Sequence, residues 1–255
     1  MKYQEGKLKV NSVKRALYKL GFIKNSQAPI ENSQELIFDR DFYKEITDAR
    51  LRHFESLSLP LSGKSVIDVG CGIGRFSTFL AEQGADVFCV DGRVENIEKL
   101  RELYPSRKCA VVDVESSELL EHGNFDVVFC YGLLYHLADP YGFIKNASKI
   151  CKEMMIIETC IMDAADPVVR LVPEDQQNAT QALHTMGCRP SPSYVNTCLK
   201  LSGFEYIYKP AILPAHTQFD YKLSNDYSYL KQGRLIRDIF IASRIKIATN
   251  LLCPI

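Results

Sequence analysis

Ser65-Val66-Ile67-Asp68-Val69-Gly70-Cys71-Gly72-Ile73-Gly74-Arg75-Phe76-Ser77 reads as a buried strand, a glycine turn and the opening of a helix. The glycines Gly70, Gly72 and Gly74 stand as G-x-G-x-G, with Arg75 where the dinucleotide pattern G-x-G-x-x-G sets its third glycine. A glycine turn lets a ligand approach the backbone closely, and the helix start offers unpaired N–H groups. The same residues also fit a tight strand-to-helix turn that holds nothing, so the neighbouring elements decide.

Asp86-Val87-Phe88-Cys89-Val90-Asp91 reads as a second strand ending in a carboxylate. Asp91 follows the first glycine by roughly 20 residues, the spacing at which an acid reaches a ribose hydroxyl. Cys109 to Val114 reads as a third strand, with Asp113 near its end. Phe125 to Gly132 reads as a fourth, running into Leu133-Leu134-Tyr135-His136. Four successive strands thus carry a polar or glycine signal at their carboxyl ends, the edge where open α/β sheets bind ligands. Any one of these acids alone fits a helix cap or a solvated loop.

Further along, Tyr141 to Ile150 reads as a helix and Glu153 to Thr159 as a fifth strand. Ser191-Pro192 caps another helix that Gly203 closes, Phe204 to Lys209 is a sixth strand and Arg237 to Ser243 a seventh. The alternation predicts an α/β fold: a seven-stranded, mostly parallel sheet, Rossmann-like, with helices on both faces. Two segments break it, 162–190 and 211–234. They read as lid insertions, with ordinary surface loops or a dimer contact as the alternative.

Residues 1–60 read as an N-terminal helical extension, and 61–255 as the main domain, with the two insertions inside it. Val10 to Gly21 reads as an amphipathic helix with a basic flank, a solvated face rather than a membrane or RNA contact. Asp41 to Leu57 reads as a longer helix, with Phe42, Ile46, Ala49 and Phe54 on the side that would cover a pocket.

Lys+Arg and Asp+Glu both number 31 in the 255 residues, a balance that does not suggest a protein coating nucleic acid. No apolar run is long enough for a membrane span and no signal segment is recognisable, which predicts a cytoplasmic protein. The 9 cysteines include no C-x-x-C and no Cys/His cluster at zinc spacing, so reduced thiols and no metal are expected. The oligomeric state stays open.

The glycine turn, Asp91, Asp113 and the segment after the fourth strand together resemble the class I S-adenosylmethionine-dependent methyltransferases, from about residue 60 to 245. Gly132-Leu133-Leu134-Tyr135-His136 and the Pro-Ser-started helix are similar to the group around the tRNA wobble-uridine carboxymethyltransferase, in which Tyr135 would help recognise a carboxylated cofactor. That enzyme's long N-terminal part has no room in 60 residues, so its activity is not carried over. The tail from Gly187-Cys188-Arg189-Pro190 through Arg237 to Arg244 resembles bacterial methyltransferases associated with sugar and surface-glycan modification.

The resemblance implies S-adenosyl-L-methionine as cofactor, and a place for each residue. Gly70, Gly72 and Gly74 would line its methionine part, and Asp68 would hold the turn or accept from its amine. Asp91 would take the ribose hydroxyls, Asp113 and the Val114 N–H the adenine, and Tyr131 would stand near the sulfonium.

Methyl transfer to a hydroxyl needs an aligned, water-shielded nucleophile and a base for its proton. His136 is the leading candidate, with pinning of the loop as its alternative role, and Tyr135 is weaker. His184, His216 and Arg189 on the insertions are candidates for substrate binding. Arg189 and Arg170 suit a carboxylate or phosphate as well as a structural ion pair. Cys130-Tyr131-Gly132-Leu133 lacks the Pro-Pro turn of adenine- and glutamine-methylating enzymes, and lacks the clustered carboxylates of metal-dependent catechol methylation. The leading expectation is O-methylation of a small molecule or sugar. A tRNA-modifying transferase and a catalytically silent cofactor-binding subunit are the alternatives.

Overall fold

The computed structural model describes residues 41–178 and 180–255. The helix expected over Val10–Gly21 and its basic flank lie outside that range, as does the side chain of Phe42. Helix α1 (Asp41–Ser56) leads to β1 (Ser65–Val69), α2 (Arg75–Glu82), β2 (Asp86–Asp91), α3 (Val94–Leu103), β3 (Lys108–Val111) and β4 (Phe125–Tyr131). After α4 (Pro140–Ile150) come β5 (Cys151–Ile161) and the hairpin of β6 (Val169–Pro173) and β7 (Met186–Pro190). Then follow α5 (Pro192–Leu201), β8 (Tyr206–Pro210), the single turn α6 (Ser228–Lys231), β9 (Ile236–Ser243) and β10 (Leu252–Pro254).

The main sheet runs β10-β8-β9-β5-β4-β1-β2-β3. The first five strands in the chain pair in parallel, while β9 lies antiparallel to both β5 and β8. The sheet therefore has eight strands where seven were expected. The extra one, β10, is 3 residues pairing antiparallel to β8 at the edge, too short to leave a periodic signal and ending in a proline. The third strand ends at Val111 rather than Val114. Val112 N–H donates to Asp91 O at 3.0 Å, and the chain then turns away although Val112 and Val114 stay buried.

Side chains alternate between two buried layers. Ile67, Val69, Val128, Cys130, Met155 and Ile157 meet Phe143 and Ile144 of α4 and Val195 and Leu199 of α5. On the opposite face Val66, Val127, Phe129 and Ile156 meet Ile46 and Phe54 of α1, Leu80 of α2 and Ile97 and Leu100 of α3. Each fully buried aliphatic or phenyl side chain contributes about 1.5–3 kcal/mol, so α1 is held by the same core as the sheet. Ser191 caps α5, its hydroxyl accepting from Tyr194 N–H, with Pro192 in the first turn. Among the described residues no helix is long and apolar enough to cross a membrane, and the cysteines are free thiols.

The segment 162–190 is not irregular throughout: β6 and β7 pair as a separate two-stranded sheet. Its tip, 174–178 and 180–185, returns to the carboxyl ends of β1 to β4, where the strand order reverses between β1 and β4. That crevice is where open α/β sheets hold ligands.

Candidate functional site

A cavity of about 280 Å3 opens at this edge. Gly70, Cys71, Gly72 and Ile73 line it from the turn after β1, Asp91 and Arg93 from the end of β2, Asp113 and Val114 from beyond β3, and Tyr131 and Leu133 from the end of β4. Gly70 has φ +74°, and a Cβ there would meet Leu133 Cβ at 2.8 Å, so the backbone approaches as only glycine permits. Gly74 opens α2 in a left-handed conformation, its N–H closing the turn onto Cys71 O.

Asp91 is buried and accepts three hydrogen bonds: Gly72 N–H at 3.0 Å, Arg93 N–H at 2.9 Å and Asn96 Nδ2 at 3.1 Å. It ties the glycine turn to the start of α3, and of a carboxylate's roughly four acceptor positions about one remains. Burial raises its pKa, against the pull of those three donors. Next to it Asn96 Oδ1 is buried without a partner among the described residues. An open glycine backbone, a carboxylate and an orphaned acceptor fit a ligand rich in hydroxyl and amino groups.

Asp68 is the acid expected to hold the turn or to accept from the cofactor's amine. It lies inside β1, not at its end, and is not among the cavity's lining residues. Its carboxyl accepts from Ser77 Oγ of α2 at 2.6 Å, and burial pushes its pKa up to about 7. Asp113 does line the cavity, but its oxygens meet Glu115 N–H at 3.0 Å and His184 Nε2 at 2.7 Å. His184 thus reaches Asp113 rather than the region around His136. Tyr131 ends β4 with its ring stacked on Phe129 at 4.7 Å. Its hydroxyl is buried without a partner among the described residues, and burial holds its pKa well above the ordinary value.

His136 lies in a short 3-10 turn, Leu134–His136, and lines the cavity. Its Nδ1 meets Glu174 Oε2 at 2.5 Å, and the same carboxylate oxygen accepts Ala182 N–H at 2.8 Å. Burial holds the imidazole below its ordinary pKa, Glu174 pulls it up, and Arg237 and Arg189 push it down. Glu174 is lowered: burial raises it, but the bond and charge of His136 outweigh that. We take the ring as neutral near pH 7, with Nδ1–H donated to Glu174 and Nε2 left as the acceptor nitrogen.

Behind this pair lies an ionic floor. Glu158, wholly buried on β5, takes Arg50 Nη1 on Oε2 and Arg237 Nη1 on Oε1, both at 2.9 Å. Burial alone would raise its pKa, but Arg237 and Arg50 together lower it. Arg237 also donates to Gln218 Oε1 at 2.6 Å and to Tyr135 Oη at 3.1 Å. Arg189 donates to Tyr135 O at 3.2 Å and lies over the Tyr135 ring.

Tyr135, His136 and Arg189 are therefore brought together, and Arg50, Glu158, Glu174, Gln218 and Arg237 join them unannounced by the sequence reading. His216 is not among the lining residues; its Nδ1 accepts Gln218 N–H at 3.2 Å, and so it supports Gln218 from behind. Arg170 is exposed on β6.

Residues 38–209 match the family model described as a methyltransferase domain. The ubiquinone biosynthesis O-methyltransferase of Psychrobacter arcticus is 33% identical over 104 residues, 38% of this chain and 40% of the relative. That of Thiobacillus denitrificans is 35% identical over 112 residues, 42% of this chain and 48% of the relative, so the chain spans about half the length of these relatives or less. Among solved structures, the N-terminal domain of EvdMO1, crystallised in the presence of SAH and D-fucose, aligns over 92% of this chain and 96% of its own. Its TM-score is 0.61 at 19% identity, a likeness of fold.

Proposed function

The chain belongs to the class I S-adenosylmethionine-dependent methyltransferases, and on that premise we propose that it methylates an oxygen of a small acceptor, with His136 as the base. The pairing of His136 with Glu174 at the wall of the cavity carries this reading. The ubiquinone-biosynthesis enzymes to which it is similar are O-methyltransferases by name, which supports oxygen over nitrogen.

Gly70, Gly72, Asp91, Asp113 and Val114 are the residues we assign to hold the donor; for Asp113 this requires His184 to share or release its carboxyl. Bound there, S-adenosylmethionine supplies a methyl group already activated on sulfur. His136 then receives the acceptor's hydroxyl proton on Nε2, and Glu174 stabilises the imidazolium that forms. Tyr135, between Arg189 and Arg237, lines the acceptor side, and the tip 174–185 excludes water.

The test is release of S-adenosylhomocysteine from a panel of phenols and sugars, with the methyl ether identified by mass spectrometry. His136→Ala is expected to cut turnover by about a hundredfold or more while donor affinity stays. A product methylated on nitrogen, turnover on tRNA alone, or near-full turnover by His136→Ala would each overturn the proposal.

A further inference from the structure

The acceptor side of the cavity holds more positive charge than its own carboxylates balance. Arg50, Arg189 and Arg237 line it, and guanidinium groups stay charged at any working pH. Arg50 and Arg237 share one carboxylate, Glu158. For Arg189 the nearest carboxylate is Glu174, at 3.6 Å, already engaged by His136 and Ala182 N–H. Among the described residues these three cations thus pair with two anions, in a place where water screens poorly, and burying an uncompensated charge is costly.

A second observation points the same way. Arg50 Nε and Tyr131 Oη are buried with no hydrogen-bond partner among the described residues. Both side chains line the cavity, at only 9% and 6% exposure. Buried donors without acceptors are rare in folded proteins. Among the described residues the hydrogen bonds of Arg189 all leave from Nη1, to Tyr135 O and Cys188 O, so its other nitrogens remain for a ligand. The Tyr135 ring holds Arg189 and Arg237 together, at 5.3 and 4.8 Å from its centre.

We infer that the acceptor carries a carboxylate or phosphate group, seated among Arg50, Arg189, Arg237 and the Tyr131 hydroxyl. This rests on the methyl-transfer reading of the same site. The donor's own carboxylate has the same chemistry, so the experiment must separate the two sources.

Calorimetry on the full chain does so, titrating benzoate, phenyl phosphate and uncharged benzamide with and without saturating S-adenosylhomocysteine. One anionic probe is expected to bind the loaded protein about tenfold or more tighter than benzamide. Arg237→Gln should bring that preference to within about twofold, with affinity for S-adenosylhomocysteine kept. Should Arg237→Gln fail to fold, Arg189→Gln, whose loss leaves the Glu158 pairs intact, is expected to weaken the preference in the same direction.

Anion binding that S-adenosylhomocysteine displaces would assign the pocket to the donor's carboxylate and overturn the inference. Equal binding of benzoate, phenyl phosphate and benzamide to the loaded protein would overturn it as well. Failure of S-adenosylhomocysteine to bind, with the anion preference intact, would instead sink the methyl-transfer reading and leave the anion pocket standing.

Discussion

Replacing Glu174 by Gln isolates what a single negative charge does for His136. Both Glu174 hydrogen bonds fall on one oxygen, Oε2, which accepts from His136 Nδ1 and from Ala182 N–H, while Oε1 faces Arg189 Nη1 at 3.6 Å. A glutamine presenting its amide oxygen there keeps both bonds and loses the charge, and with it the attraction to Arg189. A unit pair about 4 Å apart at an effective dielectric of 20 interacts by about 4 kcal/mol. Roughly half of that develops when proton transfer is half complete, so kcat should fall by about 2 kcal/mol, or roughly 30-fold. KM for the acceptor should change little. Because the Glu174 charge raises the His136 pKa against burial, its removal should move the acid limb of the pH–rate profile to lower pH. Release of S-adenosylhomocysteine measured across pH gives both readings, and titration of the His136 ring protons by NMR gives the second without turnover. A variant with kcat within about threefold of the parent and an unmoved acid limb would show that His136 merely anchors its loop.

Three further outcomes are expected. Asp91→Ala removes three hydrogen bonds that join the glycine turn to α3, and affinity for S-adenosylhomocysteine should fall by about tenfold or more, each lost charged bond being worth about 1.5–3 kcal/mol; unchanged calorimetry would refute the assignment. Asp68 has its folded pKa raised to about 7, so the folded state holds the extra proton and this stabilisation is lost as pH rises towards 7. Asp68→Asn should therefore gain about 2–3 kcal/mol relative to the parent between pH 5 and pH 8 in denaturant unfolding, and a constant difference would contradict the burial argument. His184→Ala frees the Asp113 carboxyl from the 174–185 tip; amide exchange there should quicken without ligand, and S-adenosylhomocysteine should slow exchange there in the parent protein. Identical exchange in all states would remove the lid.

The parallel strands were legible because their cores are short, mostly apolar runs and the first four stop at or near glycine or aspartate, a pattern that survives in a single sequence. The end of β3 was misplaced for a related reason: Val112 and Val114 are buried like strand residues although the ladder has already ended. The hairpin of β6 and β7 was missed because Arg170, Leu171 and Pro173 are exposed and carry no alternation. Arg50, Glu158 and Arg237 come together from three distant elements, and periodicity is silent about such pairings. One clue was present: Glu158 interrupts an apolar run otherwise buried from Met154 to Ile161, and a carboxylate there demands a cationic partner. Glu174 left no signal, since it sits in a polar turn among residues of similar composition.

The tip of the β6–β7 hairpin answers to two masters. At one end Glu174 is fixed to His136; at the other His184 holds Asp113, Leu183 lies against Gly92, and the Arg93 guanidinium gathers the carbonyls of Gln176, Gln181 and Ala182. Nothing can draw this segment off one wall of the crevice without disturbing the other. The consequence is thermodynamic reciprocity: by whatever factor a ligand at the Asp91 end alters affinity at the His136 end, occupancy of the His136 end alters affinity at the Asp91 end by the same factor. A ternary-complex titration carried out in both orders of addition would measure that factor twice, as one number.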